Sequence, residues 1–452
     1  MEDFSNYSSP FSWRYGSEKM RQIFSEISKY KLWRKVWVAL ARAQHKKGLV
    51  SEEELEDLEK NQDNIDIKRI WEIERDTRHD VVAAIKEFAE KAKIGGGKIH
   101  LGATSMDIND NADTIRITQA LEVIEKELKD LLEKYAEKIE KYANFPVMGY
   151  THLQPAEPTT LGYRFAFYAQ DLLTDLEFLN FVKKHLKAKG MKGAVGTSAS
   201  YTEGIEKEVM DELGISAVDI ANQTAPRKIE FLVASLLSSI AQSLNKFAFD
   251  VRVMQSPGFG EWQEPFGKSQ VGSSAMPFKK NPIKSEQICS LARLVVSLSR
   301  VFWDNASNML LERTLDDSAN RRIVNPEMFL ATDEMLVSAG KIVSDLTIND
   351  KRITKNLETY WPFSVTESII LEVTKKGANR QEMHEVCREV SMKAWEQIQE
   401  GGVNLMPDLL ESNEVISKYL KPSEIDALMD PSIHLGNAPQ KCGEILAKIK
   451  NV

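Results

Sequence analysis

Cysteine and histidine are scarce in this chain of 452 residues, which has three cysteines and seven histidines. The cysteines, Cys289, Cys387 and Cys442, are odd in number, lie far apart and form no Cys-x-x-Cys pair. This usage predicts reduced thiols in a cytoplasmic protein and argues against a disulfide framework. No short pairing of histidines or cysteines of the kind that nucleates zinc binding is present, so the sequence predicts no metal site.

A basic excess, a signal peptide and a membrane span are missing as well. The net charge of −8 and the pI near 5.6 argue against a general nucleic-acid-binding protein, although a local cationic site could still hold an anionic substrate. The N-terminal residues are polar and acidic and lack the apolar core of a signal peptide. Gln242, Lys246 and Asp250 interrupt the most apolar segment well short of about 18 uninterrupted apolar residues. We therefore expect neither a nucleic-acid partner nor a membrane partner.

Glycine and proline are rare in several long segments, which are predicted to be α-helices. Between Ile117 and Tyr142, apolar residues recur at steps of three and four, which places them on one face of an amphipathic helix. Pro158 and Pro326 fit the first turn of a helix, and strand signals are sparse, so the predicted fold class is all-α. Ser51 and Glu54 fit a capping box. The long helices are predicted at residues 117–142, 158–186, 229–255, 283–311 and 326–346.

The chain is predicted to fold as three domains. These are an N-terminal helical domain at residues 1–104, a central long-helix bundle at 105–348 and a C-terminal helical domain at 349–452. Segment 229–255 is apolar nearly all round, with serines and alanines that let neighbouring helices approach closely. A narrow bundle cannot cover all of its apolar faces alone, so other copies of the chain are expected to supply the missing cover.

The most informative stretch is Gly272-Ser273-Ser274-Ala275-Met276-Pro277-Phe278-Lys279-Lys280-Asn281-Pro282. Glycine permits unusual backbone angles and proline removes a backbone donor, so this stretch is predicted to be a shaped loop. It concentrates hydroxyls, ammonium groups and a side-chain amide, a combination suited to closing over an anion. An ordinary lysine-rich surface turn is the alternative that composition alone leaves open.

Three histidines lie in short polar clusters, namely Thr77-Arg78-His79-Asp80, the segment 100–105 that begins with His100, and Thr151-His152-Leu153-Gln154-Pro155. Functional side chains concentrate on loops held by a rigid scaffold. Taken singly, however, such histidines can equally be packing residues.

The sequence argues against two other kinds of site, an acylating serine and a phosphate-binding loop. Ser273 lacks the Gly-x-Ser-x-Gly surroundings of an acylating serine. Residues 95–98, Gly-Gly-Gly-Lys, lack the following Ser or Thr of a phosphate-binding loop, so a flexible linker is the preferred interpretation there.

Residues 272–282 resemble the signature loop of the fumarase/aspartase superfamily, Gly-Ser-Ser-x-Met-Pro-x-Lys-x-Asn-Pro, and meet every fixed position. Members of that superfamily eliminate fumarate from a succinyl-bearing substrate. Within it, essentially the whole chain resembles the adenylosuccinate lyase family, closest to the branch that includes the animal enzymes. The residues that carry this resemblance are segments 14–17, 78–80, 100–105, 150–156, 193–197, 264–266 and 312–322, together with Gln223, Lys268 and Gln270.

The resemblance implies a role for each matching residue. His152 is implied as the general acid that protonates the departing nitrogen, and Ser273 as the base that removes the Cβ proton. Lys279 and Asn281 are implied to hold the carboxylate on the fumarate side, with Lys268 nearby. The nucleotide phosphate and ribose are assigned to Arg14, Tyr15, Arg313, Ser318 and Arg322. The remaining substrate contacts are assigned to Arg78, His79, Asp80, His100, Thr104, Ser105 and Gln223, where His100 contacts phosphate or orients His152.

The implied reaction is consistent with these side-chain types. Removing the Cβ proton leaves a carbanion that delocalises into the adjacent carboxylate, and preorganised cations and amide donors stabilise that charge. A serine hydroxyl is a poor base at neutral pH, so Ser273 is expected to need Lys279, backbone N–H groups and exclusion of water on loop closure. A histidine that titrates near neutrality suits the acid role.

The resemblance further implies a small-molecule nucleotide substrate, a homotetramer with shared active sites, and no metal or organic cofactor. Gln287 stands where the animal-type pattern has an arginine, which puts one substrate contact, but not the reaction, in question. Another fumarate-releasing enzyme, such as an argininosuccinate lyase, is the nearest alternative, and the phosphate-directed residues argue against it. A non-catalytic protein that has kept the fold is a second alternative, and the intact proton-transfer residues argue against that one.

Overall fold

The structure, a computed structural model, describes residues 5–452. This part of the chain is mostly α-helical, as the sequence predicts. Its helices are α1 Glu18–Ile23, α2 Glu26–His45, α3 Glu52–Asn61, α4 Ile67–Thr77, α5 Asp80–Lys91, α6 Ser105–Tyr142, α7 Leu161–His185, α8 Ile205–Leu213, α9 Lys228–Met254, α10 Ile283–Ser307, α11 Asp316–Asp345, α12 Asp350–Lys375, α13 Arg380–Gln399, α14 Met406–Glu411, α15 Pro422–Leu428 and α16 Ala438–Ile449.

Short strands and 3-10 turns connect the helices. Strands β1 (Pro146–Thr151) and β2 (Gln154–Thr160) form an antiparallel hairpin, and β3 (Trp262–Gln263) pairs antiparallel with β4 (Thr347–Ile348). In the hairpin, Pro146 pairs with Thr160 and Thr151 with Gln154, and the register shifts between Met148 and Tyr150. The 3-10 turns are Pro10–Ser12, Gly95–Lys98, Ile416–Lys418 and Pro431–His434.

The described residues form two compact units, each built from three stretches of chain. The first unit comprises residues up to Leu128, Thr174–Asn245 and Gln287–Ser338. The second comprises Lys129–Leu173, Lys246–Glu286 and Ala339–Val452. Five long helices, α6, α7, α9, α10 and α11, contribute residues to both units, whereas the long helix α12 lies wholly in the second. The division into three consecutive domains remains a prediction.

The core of the first unit is built around α2, whose apolar residues Trp33, Val36, Trp37 and Leu40 are all buried. Apolar side chains from α3, α4, α5, α8 and the start of α6 pack in the same cluster. The buried Arg34 guanidinium pairs with the buried Glu87 carboxylate, which keeps two desolvated charges compensated.

The core of the second unit contains an aromatic cluster that joins three long helices. Tyr135 of α6 packs edge-on against Phe247 of α9 with ring centroids 5.6 Å apart, and Tyr168 of α7 lies 5.3 Å from the same ring. Phe165 stacks on Trp262 of β3 at 5.5 Å. These contacts fix β3, and therefore the start of the loop that follows it, against the helices.

Several of the predicted local features are confirmed. The apolar face of the 117–142 helix is buried at Leu121, Ile124, Leu128, Tyr135 and Ile139. Ser51 and Glu54 form the predicted capping box, with N···O distances of 2.8 and 3.2 Å. Residues 272–282 form neither helix nor strand. The three cysteines are free and buried.

Other local predictions were wrong at helix ends. Pro158 lies in β2, opposite Met148, because a two-stranded hairpin tolerates a residue without an N–H on its free edge. Pro326 lies inside α11, which begins at Asp316, so the carbonyl of Arg322 lacks its helical N–H donor. Helix α6 begins earlier than predicted, at Ser105, and α10 ends earlier, at Ser307.

The glycine run at 95–98 is a packed turn, not a flexible linker. The N–H groups of Ile94 and Gly95 donate to the Asp57 carboxylate at 2.7 and 3.0 Å. A Cβ on Gly95 would lie 2.3 Å from the carbonyl oxygen of Glu54, so only glycine fits this close approach.

No helix within residues 5–452 combines the length and the apolar character that crossing a bilayer requires.

Candidate active site

A cavity in the first unit is lined by positively charged side chains. Arg313, Ser318 and Arg322, which the sequence assigns to the nucleotide phosphate and ribose, line it together with Lys29 and Arg116. Acidic side chains also contribute, and the remaining lining includes Glu26, Asp80, Asp113, Arg321 and Asn325. The start of α11 and the loop before it thus bring Arg313, Ser318 and Arg322 to one cavity.

Buried ion pairs hold the arginines of this cavity in place. Arg313 donates to Asp317 at 2.8 Å, and Asp317 also accepts from Arg227 at 2.7 Å. Arg227 reaches Asp110 at 3.0 Å, and the Arg321 guanidinium pairs with Glu230. Burial opposes ionisation of Asp317, but the charges of Arg227, Arg321 and Arg313 prevail and lower its pKa.

Segment 78–80 contributes Asp80 to the same cavity. Asp80 accepts a hydrogen bond from Arg322 at 2.7 Å. Burial raises the pKa of this carboxyl group, but the hydrogen bond and charge of Arg322 outweigh burial, so the net shift is downward. In the sequence, Asp80 is marked only by its polar neighbours. In the structure it forms a salt bridge with Arg322, which orients the guanidinium group.

Arg78 and His79 occupy the junction between α4 and α5. Arg78 adopts a left-handed conformation with φ of 52° at the end of α4, and its side chain is exposed. His79 caps α5, since its Nδ1 accepts from the Val82 N–H at 3.4 Å. Its imidazole is 48% exposed, so its remaining nitrogen is accessible from solution.

His100 is largely buried and has a defined tautomer. Its Nδ1 accepts a hydrogen bond from the indole N–H of Trp37 at 3.0 Å, and the two rings meet edge-on. Because an indole nitrogen can only donate, the proton of the neutral imidazole lies on Nε2. Burial lowers the pKa of His100 to about 4, against the opposing charge of Asp107. His100 is therefore a neutral N–H donor at physiological pH.

Thr104 and Ser105 lie at the start of α6 and are ordered by Asp107, a residue that the sequence analysis did not select. The fully buried Asp107 carboxylate accepts from the Thr104 N–H at 2.9 Å and from the Tyr201 hydroxyl at 2.9 Å. It also pairs with Lys189 at 2.6 Å and accepts from the Gly193 N–H at 3.2 Å. One carboxylate thereby joins segment 100–105 to segment 193–197. The spacing from Thr104 to Asp107 is that of a helix cap and was visible in the sequence.

Gln223 lies between two of the segments that carry the resemblance. Its backbone N–H donates to the Glu312 carbonyl at 3.1 Å, and its side-chain amide donates to the Ala194 carbonyl at 3.3 Å. The neighbouring Asn222 donates to the Leu311 carbonyl at 3.0 Å. Gln223 therefore joins segments 193–197 and 312–322 within the first unit.

Arg14 and Tyr15 lie in an N-terminal loop that is anchored by acidic residues of α11. The Arg14 guanidinium is exposed and lies 5.7 Å from the centroid of the Tyr15 ring. The N–H of Gly16 donates to Glu334 at 3.1 Å, and Gln287 donates to the same carboxylate at 2.8 Å. The side chain that departs from the animal-type pattern is thus linked to the Arg14 loop through Glu334.

His152 lies at the tip of the hairpin in the second unit. His152 and Leu153 form a two-residue turn in which both residues are left-handed, with φ of 53° and 60°. Such turns usually contain Asn and Gly, because a Cβ disfavours this conformation. The His152 side chain is exposed at the turn. Non-glycine residues held in this conformation concentrate at functional sites.

Ser273, Lys279 and Asn281 lie in the signature loop of the second unit, with Lys268 just before it. The Ser273 Oγ accepts from the N–H groups of Met276 at 3.0 Å and Ala275 at 3.3 Å. Asn281 donates to the carbonyl of Gly272 at 2.9 Å, which closes the loop. Lys268 and Lys279 are exposed. Two N–H groups directed at Oγ favour the ionised form of a hydroxyl.

The two ends of this loop are clamped by Glu264, another residue that the sequence analysis assigned no role. Its buried carboxylate accepts from the N–H groups of Lys284 at 2.9 Å and Ser285 at 2.8 Å, at the start of α10. Its own N–H donates to Gln255 at 2.7 Å, and Gln255 also donates to the Lys280 carbonyl at 2.8 Å. A carboxylate at a helix N-terminus is well placed electrostatically.

The predicted site residues therefore fall into two groups. The residues assigned to phosphate, ribose and base all lie in the first unit. The residues assigned to proton transfer and to the succinyl carboxylate, His152, Lys268, Ser273, Lys279 and Asn281, all lie in the second.

Comparison with known proteins identifies the family. A family model described as "Lyase" matches residues 14–297, and one described as "Adenylosuccinate lyase C-terminus" matches residues 362–444. The adenylosuccinate lyase of Saccharomyces cerevisiae is 38% identical, over 100% of this chain and 96% of that protein. The adenylosuccinate lyase of Schistosoma mansoni is 37% identical, over 98% of this chain and 94% of that protein.

A solved structure shows the fold. The 3-carboxy-cis,cis-muconate lactonizing enzyme of Pseudomonas putida is similar with a TM-score of 0.88 and 23% sequence identity, over 98% of this chain and 99% of that one. The predicted all-α fold class is confirmed by the helices of the described residues, and the likeness shows that the two chains share this fold. With relatives of this identity matched from end to end, the chain belongs to the adenylosuccinate lyase family.

Proposed function

We propose that this chain catalyses the β-elimination of fumarate from adenylosuccinate, which yields AMP, and the parallel cleavage of the succinylated aminoimidazole carboxamide ribotide. The observation that carries the proposal is the end-to-end match to adenylosuccinate lyases in a chain that retains His152, Ser273, Lys279 and Asn281. The reaction breaks a carbon–nitrogen bond, moves one proton from Cβ and delivers one proton to nitrogen. No oxidation or reduction occurs.

Nucleotide binding is assigned to the first unit. Arg313, Ser318 and Arg322 line a cavity, and Asp80 orients Arg322 through a 2.7 Å salt bridge. Guanidinium groups bind phosphate bidentately, and their fixed geometry lowers the entropy lost on binding. Arg14 and Tyr15 extend the phosphate and ribose contacts. Arg78, His79, His100, Thr104, Ser105 and Gln223 complete the substrate contacts.

His100 acts in this scheme as a neutral donor. With Nδ1 occupied by Trp37 and the pKa lowered to about 4, it presents an Nε2–H that keeps its proton through the catalytic cycle. We assign it the role of donating to the substrate or to His152, not of transferring a proton.

His152 is assigned as the general acid. Its exposed imidazole at the hairpin tip is available to the departing nitrogen, and protonation makes that nitrogen a better leaving group. The left-handed turn places His152 beyond the last paired residues of the hairpin, Thr151 and Gln154.

Ser273 is assigned as the base that removes the Cβ proton. The N–H groups of Ala275 and Met276 that point at Oγ stabilise its alkoxide, and Lys279 adds positive charge nearby in sequence. Lys279, Asn281 and Lys268 hold the carboxylate into which the carbanion delocalises. Such preorganised groups act most strongly when the loop closes and excludes water.

We also propose a cytoplasmic homotetramer with active sites shared between subunits. Support comes from exposed apolar side chains along the long helices, including Phe167 and Phe181 on α7 and Trp303 on α10. Light scattering is expected to give about four times the chain mass of 51.2 kDa, and a fully active monomer would contradict it.

Fumarate release from purified protein tests the proposed function. Adenylosuccinate and argininosuccinate are offered separately, and the absorbance of fumarate is followed. We expect turnover with adenylosuccinate and none with argininosuccinate, because the cationic cavity of the first unit is directed at a nucleotide phosphate. Release from argininosuccinate alone would overturn the assignment.

A further inference from the structure

The hairpin tip that carries His152 is under conformational strain. Both turn residues, His152 and Leu153, hold left-handed backbone angles although neither is glycine. Leu153 is 63% exposed, so burial of its own side chain does not hold the turn in place. Strained backbone persists only where surrounding contacts over-determine it. The contacts that fix the ends of β1 and β2 therefore hold this turn.

A buried carboxylate, Glu261, collects hydrogen bonds around the end of β1. Its Oε1 accepts from the Tyr150 hydroxyl at 3.2 Å and from the Asn356 side-chain amide at 2.9 Å. Its Oε2 lies 3.4 Å from Arg164, which also donates to the carbonyl of Met148 at 2.8 Å. The side chain of Glu261 is completely buried. Tyr150 and Met148 both belong to β1, and Tyr150 lies two residues before His152.

This arrangement secures β1 at the register shift. Between Met148 and Tyr150 the ladder is irregular, so β1 loses regular pairing just before the turn. Gly149, at the irregularity, has no room for a Cβ, which would lie 2.6 Å from the Glu157 carbonyl oxygen. At this irregularity β1 lacks regular hydrogen bonds to β2. The hydroxyl of Tyr150 and the guanidinium of Arg164 supply tertiary hydrogen bonds that hold β1 instead. Phe259 packs edge-on against the Tyr150 ring at 4.9 Å.

Glu261 also lies in the segment that leads into the signature loop. It directly precedes β3, and its carbonyl accepts from the Asn349 N–H at 2.8 Å. Glu264 follows within the same short segment and clamps Lys284 and Ser285 at the far end of the loop. The short segment 261–264 thus contacts both the hairpin with His152 and the end of the loop with Ser273.

We propose that Glu261 and Tyr150 are positioning residues for the elimination reaction, which hold the His152 turn in the orientation needed for proton delivery. The inference rests on the proposed role of His152 as the general acid. Neither residue contacts substrate in this scheme, since both act through the backbone of β1.

Tyr150→Phe tests the proposal with the smallest possible change. It removes one hydroxyl and keeps the ring against Phe259, so packing is preserved. We expect kcat to fall at least about tenfold, part of the 10²- to 10⁴-fold that a general acid contributes, while KM changes less than about twofold. Glu261→Gln is expected to lower kcat in the same way, because an amide N–H₂ would face the donors of Arg164 or Tyr150.

Tyr168→Phe is the matched control. Tyr168 lies in the same unit and donates to the Asp250 carboxylate at 2.6 Å, so its removal also deletes one phenol-to-carboxylate hydrogen bond. It is not bonded to the hairpin or to Glu261. We expect a similar change in melting temperature in both variants but a loss of kcat only in Tyr150→Phe. An equal loss of kcat in both variants would make the effect structural and overturn the proposal.

A double-mutant cycle with His152→Gln provides the decisive measurement. If Tyr150 acts through His152, Tyr150→Phe should cause less than about a twofold further loss of kcat once the imidazole is gone. The same fold-loss in both backgrounds would overturn the positioning role and leave the acid assignment standing. Full activity of His152→Gln would instead refute the acid assignment itself, so the two failures are distinguishable.

Discussion

His100 illustrates how a single buried contact determines what a histidine of the candidate site can do. The indole N–H of Trp37 occupies its Nδ1, and burial lowers its pKa to about 4. In the unfolded chain the same imidazole titrates near 6.5. Between these two values the unfolded state binds more protons than the native state, so the native state gains stability as pH rises.

The pH dependence of stability tests this account of His100. A pKa shift of this size contributes on the order of 3 kcal/mol to the free energy of unfolding. This stabilisation is fully present above pH 6.5 and is lost as the pH falls towards 4. His100→Asn removes the titration, keeps an acceptor for Trp37 and tolerates the left-handed φ of 68°. We expect urea unfolding midpoints of the variant to fall less than those of the wild type between pH 7 and 4.5. Parallel falls would contradict the pKa assignment.

Candidate site residues could be chosen from the sequence, but the residues that support them could not. Ser273, Lys279 and Asn281 lie in a contiguous motif, and a contiguous motif is visible without a structure. Asp107 and Glu264 are single acidic residues among 67 in the chain. Their importance depends on which N–H groups the folded chain brings to them, and that information is tertiary.

At the scale of elements, the long helices were predictable because their periodicity is local. The hairpin was not, because its turn is His152-Leu153 instead of an Asn-Gly pair and because Pro155 and Pro158 lie in β2. Helix ends were also missed, as at Pro326, which lies well inside α11. An end is set by capping groups and by packing, whereas periodicity reports only the middle of a helix.

The geometry of the signature loop gives a prediction at this scale. A Cβ on Gly272 would lie 2.1 Å from the carbonyl oxygen of Lys279, a backbone atom that cannot move without reshaping the loop. Gly272→Ala should therefore lower kcat by about 10²-fold or more, because Ser273 and Lys279 lose their arrangement. Gly258→Ala is the control, since nothing lies within 4 Å of its Cβ position. A kcat near that of wild type for Gly272→Ala would show that the loop geometry is not needed for turnover.

At the scale of the whole molecule, the assigned roles separate between the two compact units. The residues assigned to the nucleotide, such as Arg313, Ser318 and Arg322, lie in the first unit, and those assigned to proton transfer lie in the second. The sequence could not predict this division, because each unit combines three separated stretches of chain. Binding and chemistry are expected to be separable by mutation.

Turnover and binding measured on Ser273→Ala test the central claim most directly. If Ser273 is the base, kcat for adenylosuccinate should fall about 10²- to 10⁴-fold, while the Kd from titration calorimetry changes less than about threefold. Ser269→Ala, an exposed serine outside the signature loop, is expected to match the wild type in both measurements. If Ser273→Ala retains more than about a tenth of wild-type turnover, the loss is smaller than the smallest loss expected for a missing base. That result would contradict the account.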